Sequence, residues 1–192
     1  MNEPLAAAMV ASKAGQLVPA ERRTGTTAAE EQAWALLEQV PDPEIPVVSI
    51  RELGILREIH EREGRLEVVI TPTYSGCPAM GQIEDDVRAA LAAFALPVTV
   101  VTRLAPAWTT DWITPEARDK LRAYGIAPPH RVAATQQVVQ LRLRERPVAS
   151  AIACPRCDSR NTVATSRFGS TACKALYKCL DCLEPFDYFK PY

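Results

Sequence analysis

Two C-x-x-C pairs near the C-terminal end constrain the fold more than any other feature of this sequence. Cys154 and Cys157 form the first pair, Cys179 and Cys182 form the second, and 21 residues separate the two pairs. Two thiolates three positions apart on a tight turn face one ion, and two such turns complete a tetrahedron. Because residues 150–192 are too few to bury a large core, their folding depends on a metal. The pattern predicts a zinc-ribbon module with four cysteine ligands.

The identity of the metal and the role of a fifth cysteine stay open on spacing alone. Zinc suits four thiolates in a tetrahedron, but iron or an iron–sulfur cluster fits the same cage. Cys173 lies between the two pairs. A small buried core residue is its ordinary role, and metal ligation is the alternative.

The N-terminus indicates a compartment, which in turn bears on the cysteines. In a reducing compartment, C-x-x-C pairs are metal ligands or redox thiols rather than structural disulfides. The first residues carry an acidic start at Glu3 and a short apolar run, whereas a secretory signal has a basic start and a longer apolar region. We therefore expect a cytoplasmic protein with a disordered tail over residues 1–26.

Composition excludes several classes of partner. The 192 residues contain 22 Lys+Arg against 23 Asp+Glu, and aromatic residues make up 6% of the chain. A net charge of -1 argues against a nucleic-acid backbone or an acidic membrane surface as the main partner. The longest nearly apolar stretch, 89–101, is too short to span a bilayer and contains Pro97. We predict that this protein has no nucleic-acid or membrane partner.

The N-terminal half predicts a small α+β domain. Thr27 and Glu30 form a capping-box pattern before a helix that the prolines of 41–46 prevent from continuing. Two short apolar runs around Glu63-Gly64 predict a β-hairpin. The next elements are a helix whose apolar face runs from Met80 to Phe94 and which Pro97 ends, a buried strand over 98–104, and a helix with core contacts from two residues. Those two residues are Leu121 and Tyr124.

The third helix also carries signals at both ends. Thr114 is its predicted cap, Pro115 lies in its first turn, and Gly125 follows its last turn. Residues 131–147 fit a strand and a linker. The predicted organisation is therefore an α+β domain over 27–129, a strand or linker over 130–149 and the zinc ribbon over 150–192.

Cys77 is the one cysteine outside the C-terminal segment. It precedes Pro78, where a helix N-cap or first turn is expected, and a helix N-terminus stabilises a thiolate. Such a thiolate is able to bind iron, accept a cluster or act as a nucleophile, but a half-buried residue at a strand-to-helix corner is the ordinary alternative. Neither His60 nor His130 belongs to a recognisable Cys–His motif.

Two further segments offer functional side chains. Asp42 and Glu44 flank Pro43 in a rigid loop, where they act as acid–base groups or hard metal ligands, or where Asp42 simply caps a turn. Residues 108–112 contain two tryptophans, which line a pocket or interface or pack on the third helix. The aromatic tail 185–192 covers the core of the ribbon or docks a protein.

Taken together, these segments resemble SufT-type iron–sulfur assembly factors in the first domain. With the ribbon included, the sequence is similar to the PaaD family, the D components of bacterial phenylacetyl-CoA epoxidase systems. The resemblance covers roughly Ala28 to Tyr192 and rests on six segments. They are 42–46, 53–55, 71–78, 108–112, 166–177 and 184–190.

The resemblance implies a non-catalytic accessory of a multicomponent oxygenase in aerobic phenylacetate degradation. Its expected role is to mature an iron–sulfur or iron centre, with the iron–sulfur reductase of the system as the expected client. By position, Cys77 is the iron- or cluster-handling thiol and Asp42 and Glu44 lie close to it. The resemblance also includes Cys173 in the family pattern and assigns the ribbon's zinc to the two C-x-x-C pairs.

Alternatives from other classes remain. One alternative is that the chain is a stoichiometric structural subunit of the oxygenase. Its aromatic tail and the tryptophan segment favour this alternative. A nucleic-acid-binding ribbon is supported only by the ribbon itself and by Arg142, Arg144 and Arg146. A hydrolase based on Cys77 lacks a base in a supporting motif.

Overall fold

A computed structural model describes residues 27–130 and 152–192 as two packed units of mixed α and β structure. Residues 1–26 and 131–151 lie outside the described part, and with them the predicted tail and most of the predicted strand and linker. The first unit contains the following elements in chain order. They are α1 (Ala28–Leu37), β1 (Leu56–Arg62), β2 (Arg65–Ile70), α2 (Met80–Ala90), β3 (Val98–Thr102), a 3-10 helix (Thr110–Trp112), α3 (Pro115–Tyr124) and β4 (Ile126–Ala127).

The second unit is a ribbon of three strands. They are β5 (Thr162–Ser166), β6 (Lys174–Cys179) and β7 (Pro185–Phe189). The strands β5, β6 and β7 pair antiparallel in sequence order, and β4 of the first unit joins the same sheet by pairing parallel with β7. The expected α+β class with a C-terminal ribbon is confirmed.

The local signals of the first unit produce the expected helix ends. Thr27 and Glu30 form both hydrogen bonds of a capping box, and Thr114 caps α3 by accepting from the Ala117 N–H at 3.1 Å. Gly125 ends α3 in the left-handed conformation at φ 98°, which a residue with a Cβ adopts at a cost. These three predictions are confirmed.

A three-stranded sheet carries the core of the first unit. The predicted hairpin is β1–β2, and β3 pairs parallel with the other side of β2. Strand β2 is central, so its apolar side chains are fully buried, while β3 lies at the edge. The prediction of a buried strand over 98–104 is therefore wrong in both length and burial, since β3 ends at Thr102 and is at most half-buried.

Two helix predictions need correction. Helix α2 ends at Ala90, well before Pro97, because the chain turns there and lets Leu91 and Phe94 pack against the core without helical geometry. Tyr124 is 51% exposed at the last turn of α3, so Leu121 is a core contact of that helix, together with Ala117, and Tyr124 is not. Among the described helices, none has the length and apolar character needed to cross a bilayer.

The ribbon packs directly against the core of the first unit. Phe189 and Cys173 are buried among the first unit's core residues, and Trp108 lies 5.9 Å from Phe189 between ring centroids. The carbonyl of Tyr192 accepts hydrogen bonds from the Thr110 N–H at 3.2 Å and the Thr109 hydroxyl at 3.0 Å. The aromatic tail thus joins the two units, and the tryptophan segment forms part of their interface.

Candidate metal centre and a thiol–carboxylate site

The four cysteines of the C-x-x-C pairs come together at one end of the ribbon. Their sulfur atoms all lie within 4.8 Å of one another, with Cys154 and Cys182 at 3.7 Å and Cys157 and Cys179 at 3.6 Å. A tetrahedral zinc ion with Zn–S bonds of about 2.3 Å requires sulfur atoms about 3.8 Å apart. The spacing therefore fits a zinc ion.

The two turns that carry the cysteines share one backbone geometry. The N–H of Cys154 donates to the Ser159 carbonyl at 2.9 Å, and the N–H of Cys179 donates to the Glu184 carbonyl at 2.9 Å, five residues on in each case. The residue after each pair is left-handed, with φ 62° at Asp158 and φ 66° at Leu183. Each turn therefore presents its two thiols in the same way, and the two turns face each other across the group of four sulfur atoms.

The electrostatics of the four thiols call for a cation. Backbone N–H groups, that of Cys182 first, lower the pKa of Cys179 to about 7. At Cys182 the backbone N–H of Glu184 also lowers the pKa, but desolvation and the neighbouring thiols together raise it to about 12. Several thiolates cannot coexist at this distance without a compensating charge, and Zn²⁺ supplies two.

Asp42 is held in a rigid turn of the first unit. Its Oδ1 accepts hydrogen bonds from the N–H groups of Glu44 at 3.0 Å and Ile45 at 2.8 Å, and its own N–H donates to the Val48 carbonyl at 2.9 Å. The side chain is 6% exposed, and burial raises the pKa of its carboxyl group in spite of these two N–H donors. Asp42 therefore caps the turn, and the two hydrogen bonds fix the position of its buried carboxyl group.

Cys77 lies in a turn just before α2. Its N–H donates to the Tyr74 carbonyl at 3.1 Å, and its half-buried side chain packs against the core of the first unit. The helix begins at Met80 with Ala79 as its cap, so Cys77 precedes the helix and does not cap it. The strand-to-helix corner therefore ends two residues later than the sequence indicates.

The expected stabilisation of a Cys77 thiolate is not found. Burial raises the pKa of the Cys77 thiol more than the backbone N–H of Ala79 lowers it. The negative charge of Glu44 and Asp42 raises it further, and so does Cys173 when its own thiol ionises. Cys77 is consequently a protonated thiol near neutral pH, with two carboxylates and a second thiol in its electrostatic surroundings.

Cys173 is not part of the zinc cage. It is 5% exposed, packs into the core of the first unit, and has the Thr171 hydroxyl 3.0 Å from its sulfur. Burial raises the pKa of its thiol, and the charges of Glu44 and Asp42 act on it as they act on Cys77. The structure thus brings a ribbon cysteine to the side of the first unit where Cys77, Asp42 and Glu44 lie.

Openings flank this group of side chains. Glu44 and Lys174 line a cleft of about 410 Å³ between the two units, and Tyr74 and Tyr192 line a second pocket of about 250 Å³ beside the Cys77 loop. Lys174 is 4% exposed, with its Nζ 3.8 Å from Asp187. Glu44 is therefore the member of the group that faces an opening, the second pocket borders the loop that carries Cys77, and one buried cation partly balances the carboxylates.

The two histidines are engaged elsewhere. The Nε2 of His60 lies 2.9 Å from a Glu58 carboxylate oxygen, and the Nδ1 of His130 lies 2.9 Å from the Tyr188 hydroxyl. Neither contact involves Cys77. The geometry gives no support to a Cys–His nucleophile.

Family profiles match both units of the chain. The profile described as "PaaD zinc beta ribbon domain" matches residues 140–190, and the profile described as "Iron-sulfur cluster assembly protein" matches residues 30–103. The first profile and the sulfur spacing confirm zinc as the cofactor of the ribbon. The second agrees with the expected type of the first domain.

Similar proteins cover either most of the chain or its first half. The D component of a "Putative 1,2-phenylacetyl-CoA epoxidase" from Escherichia coli strain K12 is 48% identical over 160 residues, covering 83% of this chain and 91% of that protein. The "Fe-S protein maturation auxiliary factor YitW" of Bacillus subtilis strain 168 is 35% identical over 98 residues, covering 50% of this chain and 89% of that protein.

One solved structure resembles the first half of the chain. It is a domain of unknown function, DUF59, from Bacillus anthracis, with 31% sequence identity and a TM-score of 0.46. The match covers 49% of this chain and 92% of that one.

Proposed function

This chain belongs to the PaaD family of 1,2-phenylacetyl-CoA epoxidase components, and on that premise we propose that it is an accessory that matures an iron–sulfur or iron centre of the epoxidase system. Its client is the iron–sulfur reductase of that system, and it acts in the cytoplasm. In this role it turns over no phenylacetyl-CoA itself and serves aerobic phenylacetate degradation.

One observation carries this proposal. The single cysteine of the iron–sulfur assembly domain, Cys77, shares its electrostatic surroundings with the carboxylates of Asp42 and Glu44. A thiolate is a suitable soft ligand for iron, and carboxylates are suitable hard ligands or proton acceptors beside it. The raised pKa of Cys77 means that the thiol loses its proton as iron binds, so the site does not hold the thiolate permanently.

We further propose that Cys154, Cys157, Cys179 and Cys182 are the ligands of the ribbon's zinc ion. All four sulfur positions agree with a tetrahedral ion, and the ribbon has too little core of its own to fold without one. Zinc then has a structural role. It holds β6 and β7 in place, and with them the residues that pack on the first unit.

The test is a Cys77→Ser variant expressed in place of the natural protein, with Ser75→Ala in the same loop as the matched control. Ser75 is exposed, so its loss should leave folding intact. We expect Cys77→Ser to lower the iron and acid-labile sulfide content of the isolated reductase and the epoxidase rate in parallel, while Ser75→Ala changes neither. A fully loaded reductase from Cys77→Ser cells would overturn the proposal.

A structural-subunit role remains the second candidate, because the ribbon exposes several large apolar side chains. Phe168 and Leu183 are each 64% exposed. A structural subunit is needed for turnover by the assembled oxygenase, whereas a maturation factor becomes dispensable once the metal centres are loaded. Full activity of purified, loaded oxygenase and reductase without this chain would favour the maturation role.

A further inference from the structure

We propose that Cys77 and Cys173 form a thiol pair that receives an iron–sulfur cluster, so that the assembly site is built from both units of the chain. This inference rests on the proposed maturation function and specifies its site. It assigns to Cys173 a role outside the zinc cage, and it assigns to the ribbon a direct part in holding the cargo.

The position of Cys173 is fixed by the C-terminal strand and the residues after it. The N–H of Lys190 donates to the Cys173 carbonyl at 3.0 Å, and the Tyr192 hydroxyl donates to the neighbouring Ala172 carbonyl at 3.2 Å. Tyr192 is itself held by Thr109 and Thr110 of the first unit. These contacts fasten the ribbon cysteine to the first unit.

The two cysteines share one core although they are far apart in sequence. Cys173 is among the buried residues of the first unit's core, and Cys77 packs against that same core. Ionisation of Cys173 raises the pKa of Cys77, and ionisation of either thiol raises the pKa of the Tyr74 hydroxyl, so the three groups lie near one another. Since Tyr74 is in the Cys77 loop, the second thiol lies beside that loop.

Two carboxylates complete the surroundings of the pair. The charges of Glu44 and Asp42 act on the thiols of both Cys77 and Cys173. A pair of thiols next to two carboxylates favours a cationic ligand that forms bonds to sulfur, and iron has this chemistry. The buried Lys174, next to Cys173, offsets part of the negative charge of these two carboxylates.

The spread of these groups favours a cluster over a single ion. Within residues 27–130 and 152–192, the zinc cage is the one set of three or more His, Cys, Asp or Glu ligands whose atoms lie within 4.8 Å of one another. No three of the ligand atoms of Cys77, Cys173, Asp42 and Glu44 therefore lie as close together as a single tetrahedral ion requires. A cluster with two or more iron atoms accepts thiolates on different irons and suits this wider arrangement.

Binding requires proton release and no redox step. Each new Fe–S bond to a cysteine replaces one S–H bond, so two protons leave when both thiols bind. The carboxylates of Glu44 and Asp42 and the solvent in the flanking openings are the available acceptors. The ligands that held the cluster on its donor, or in solution, depart as the two thiolates replace them.

The experiment uses the full chain loaded with zinc and reconstituted without oxygen from Fe³⁺ and sulfide, so that a diferric cluster forms with no added oxidant. Wild type, Cys77→Ala, Cys173→Ala and the double variant are compared, with Ala172→Ser as the matched control next to Cys173. Bound iron, sulfide and visible charge-transfer absorption are measured. We expect each single Cys variant to lower the apparent cluster affinity by about tenfold or more, which corresponds to at least about 1.4 kcal/mol, and the control to bind as wild type does.

A second measurement does not depend on a variant folding correctly. Wild-type protein with and without cluster is treated with an alkylating reagent, and the modified cysteines are located by mass spectrometry. Because Cys173 is 5% exposed and reacts slowly even without the cluster, the alkylation of each cysteine is followed as a time course. We expect cluster binding to slow the modification of Cys77 and that of Cys173 by the same factor. Zinc content and the melting temperature show whether each variant is folded.

The outcomes separate this inference from the proposed function. Full cluster binding by folded Cys173→Ala, with loss in Cys77→Ala, overturns the thiol pair but leaves Cys77 as the handling residue. Protection of Cys77 alone leads to the same conclusion. Full binding by both variants overturns the pair and the proposed role of Cys77 together, and uptake of iron without sulfide overturns the cluster as cargo.

Discussion

The ring of Phe189 contacts the indole of Trp108, with ring centroids 5.9 Å apart and planes inclined at 43°. Phe189 ends the last strand of the ribbon, while the Trp108 Nε1–H donates to the Leu53 carbonyl at 2.9 Å in the first unit. Phe189, the last residue of the ribbon's last strand, is therefore buried in the core of the first unit. The two units should unfold together rather than one after the other.

Replacing Phe189 by Ala should test this coupling. The side chain is 1% exposed, so its removal leaves a cavity between the units and should lower the free energy of unfolding by about 3–5 kcal/mol. Denaturant unfolding followed by tryptophan fluorescence measures the effect, since Trp34, Trp108 and Trp112 all belong to the first unit. Phe168→Ala, at a residue that is 64% exposed, is the control and should cost about 0.5 kcal/mol or less. An unchanged fluorescence transition in Phe189→Ala would show that the units are independent.

Zinc removal should expose Cys173. The zinc cage organises the turn that precedes β5 and the turn that joins β6 to β7, and the small ribbon core cannot replace it. Chelation should therefore release the ribbon from the first unit and convert the buried Cys173 thiol into one that reacts quickly with an alkylating reagent. Mass spectrometry of labelled peptides follows this change, with re-addition of Zn²⁺ as the reversal control. A Cys173 that stays protected in zinc-free protein would contradict the structural role of the metal.

Local signals in the sequence predicted much of this architecture. The Thr27–Glu30 capping box, the turn at Glu63-Gly64 and the two C-x-x-C pairs each act over a few residues. Their outcome depends little on the remainder of the fold. That is why the helix start, the hairpin and the cluster of four cysteines are all found where the sequence indicates.

The features that the sequence did not predict depend on distant packing. Cys173 reaches the Cys77 side of the first unit because β4 pairs with β7, and no spacing rule connects a two-residue strand to a partner about sixty residues later. The pKa of Cys77 depends on burial and on charges from Asp42 and Glu44, which outweigh the nearby backbone N–H. Strand β3 contains a run of valines, but its half-burial follows from its place at the edge of the sheet.

Leu183→Gly should stabilise the zinc cage. Leu183 has φ 66°, a conformation that costs a residue with a Cβ about 1–2 kcal/mol, and its 64% exposure means that little packing is lost. We expect tighter zinc binding in competition with a chelator, by up to about tenfold. Leu180→Gly in the same turn is the control, because Leu180 is 48% exposed and its φ is not positive. Its glycine should weaken binding or leave it unchanged, and an equal gain in both variants would refute the backbone explanation.

Asp42→Asn and Asp42→Ala should separate the turn-capping role of this residue from its charge. Asn retains an oxygen for the N–H groups of Glu44 and Ile45, whereas Ala leaves these two donors without their partner. Ala should therefore lower the free energy of unfolding by about 1–3 kcal/mol. Asn should lower it much less, since it preserves the hydrogen bonds and removes a carboxylate whose ionisation burial opposes.

The pH dependence of the Asn variant has a definite sign. Because burial raises the folded-state pKa of Asp42 above its ordinary value, the wild-type protein loses stability as pH rises from that value through the raised pKa. The Asn variant lacks this loss, so the stability difference should move in its favour over that interval and become constant above it. Urea unfolding at a series of pH values from acid to neutral measures the difference, with Asp111→Asn, at an exposed carboxylate, as the control. A difference that moves toward the wild-type protein with rising pH would mean that the carboxylate, rather than the carboxylic acid, is the form the fold stabilises.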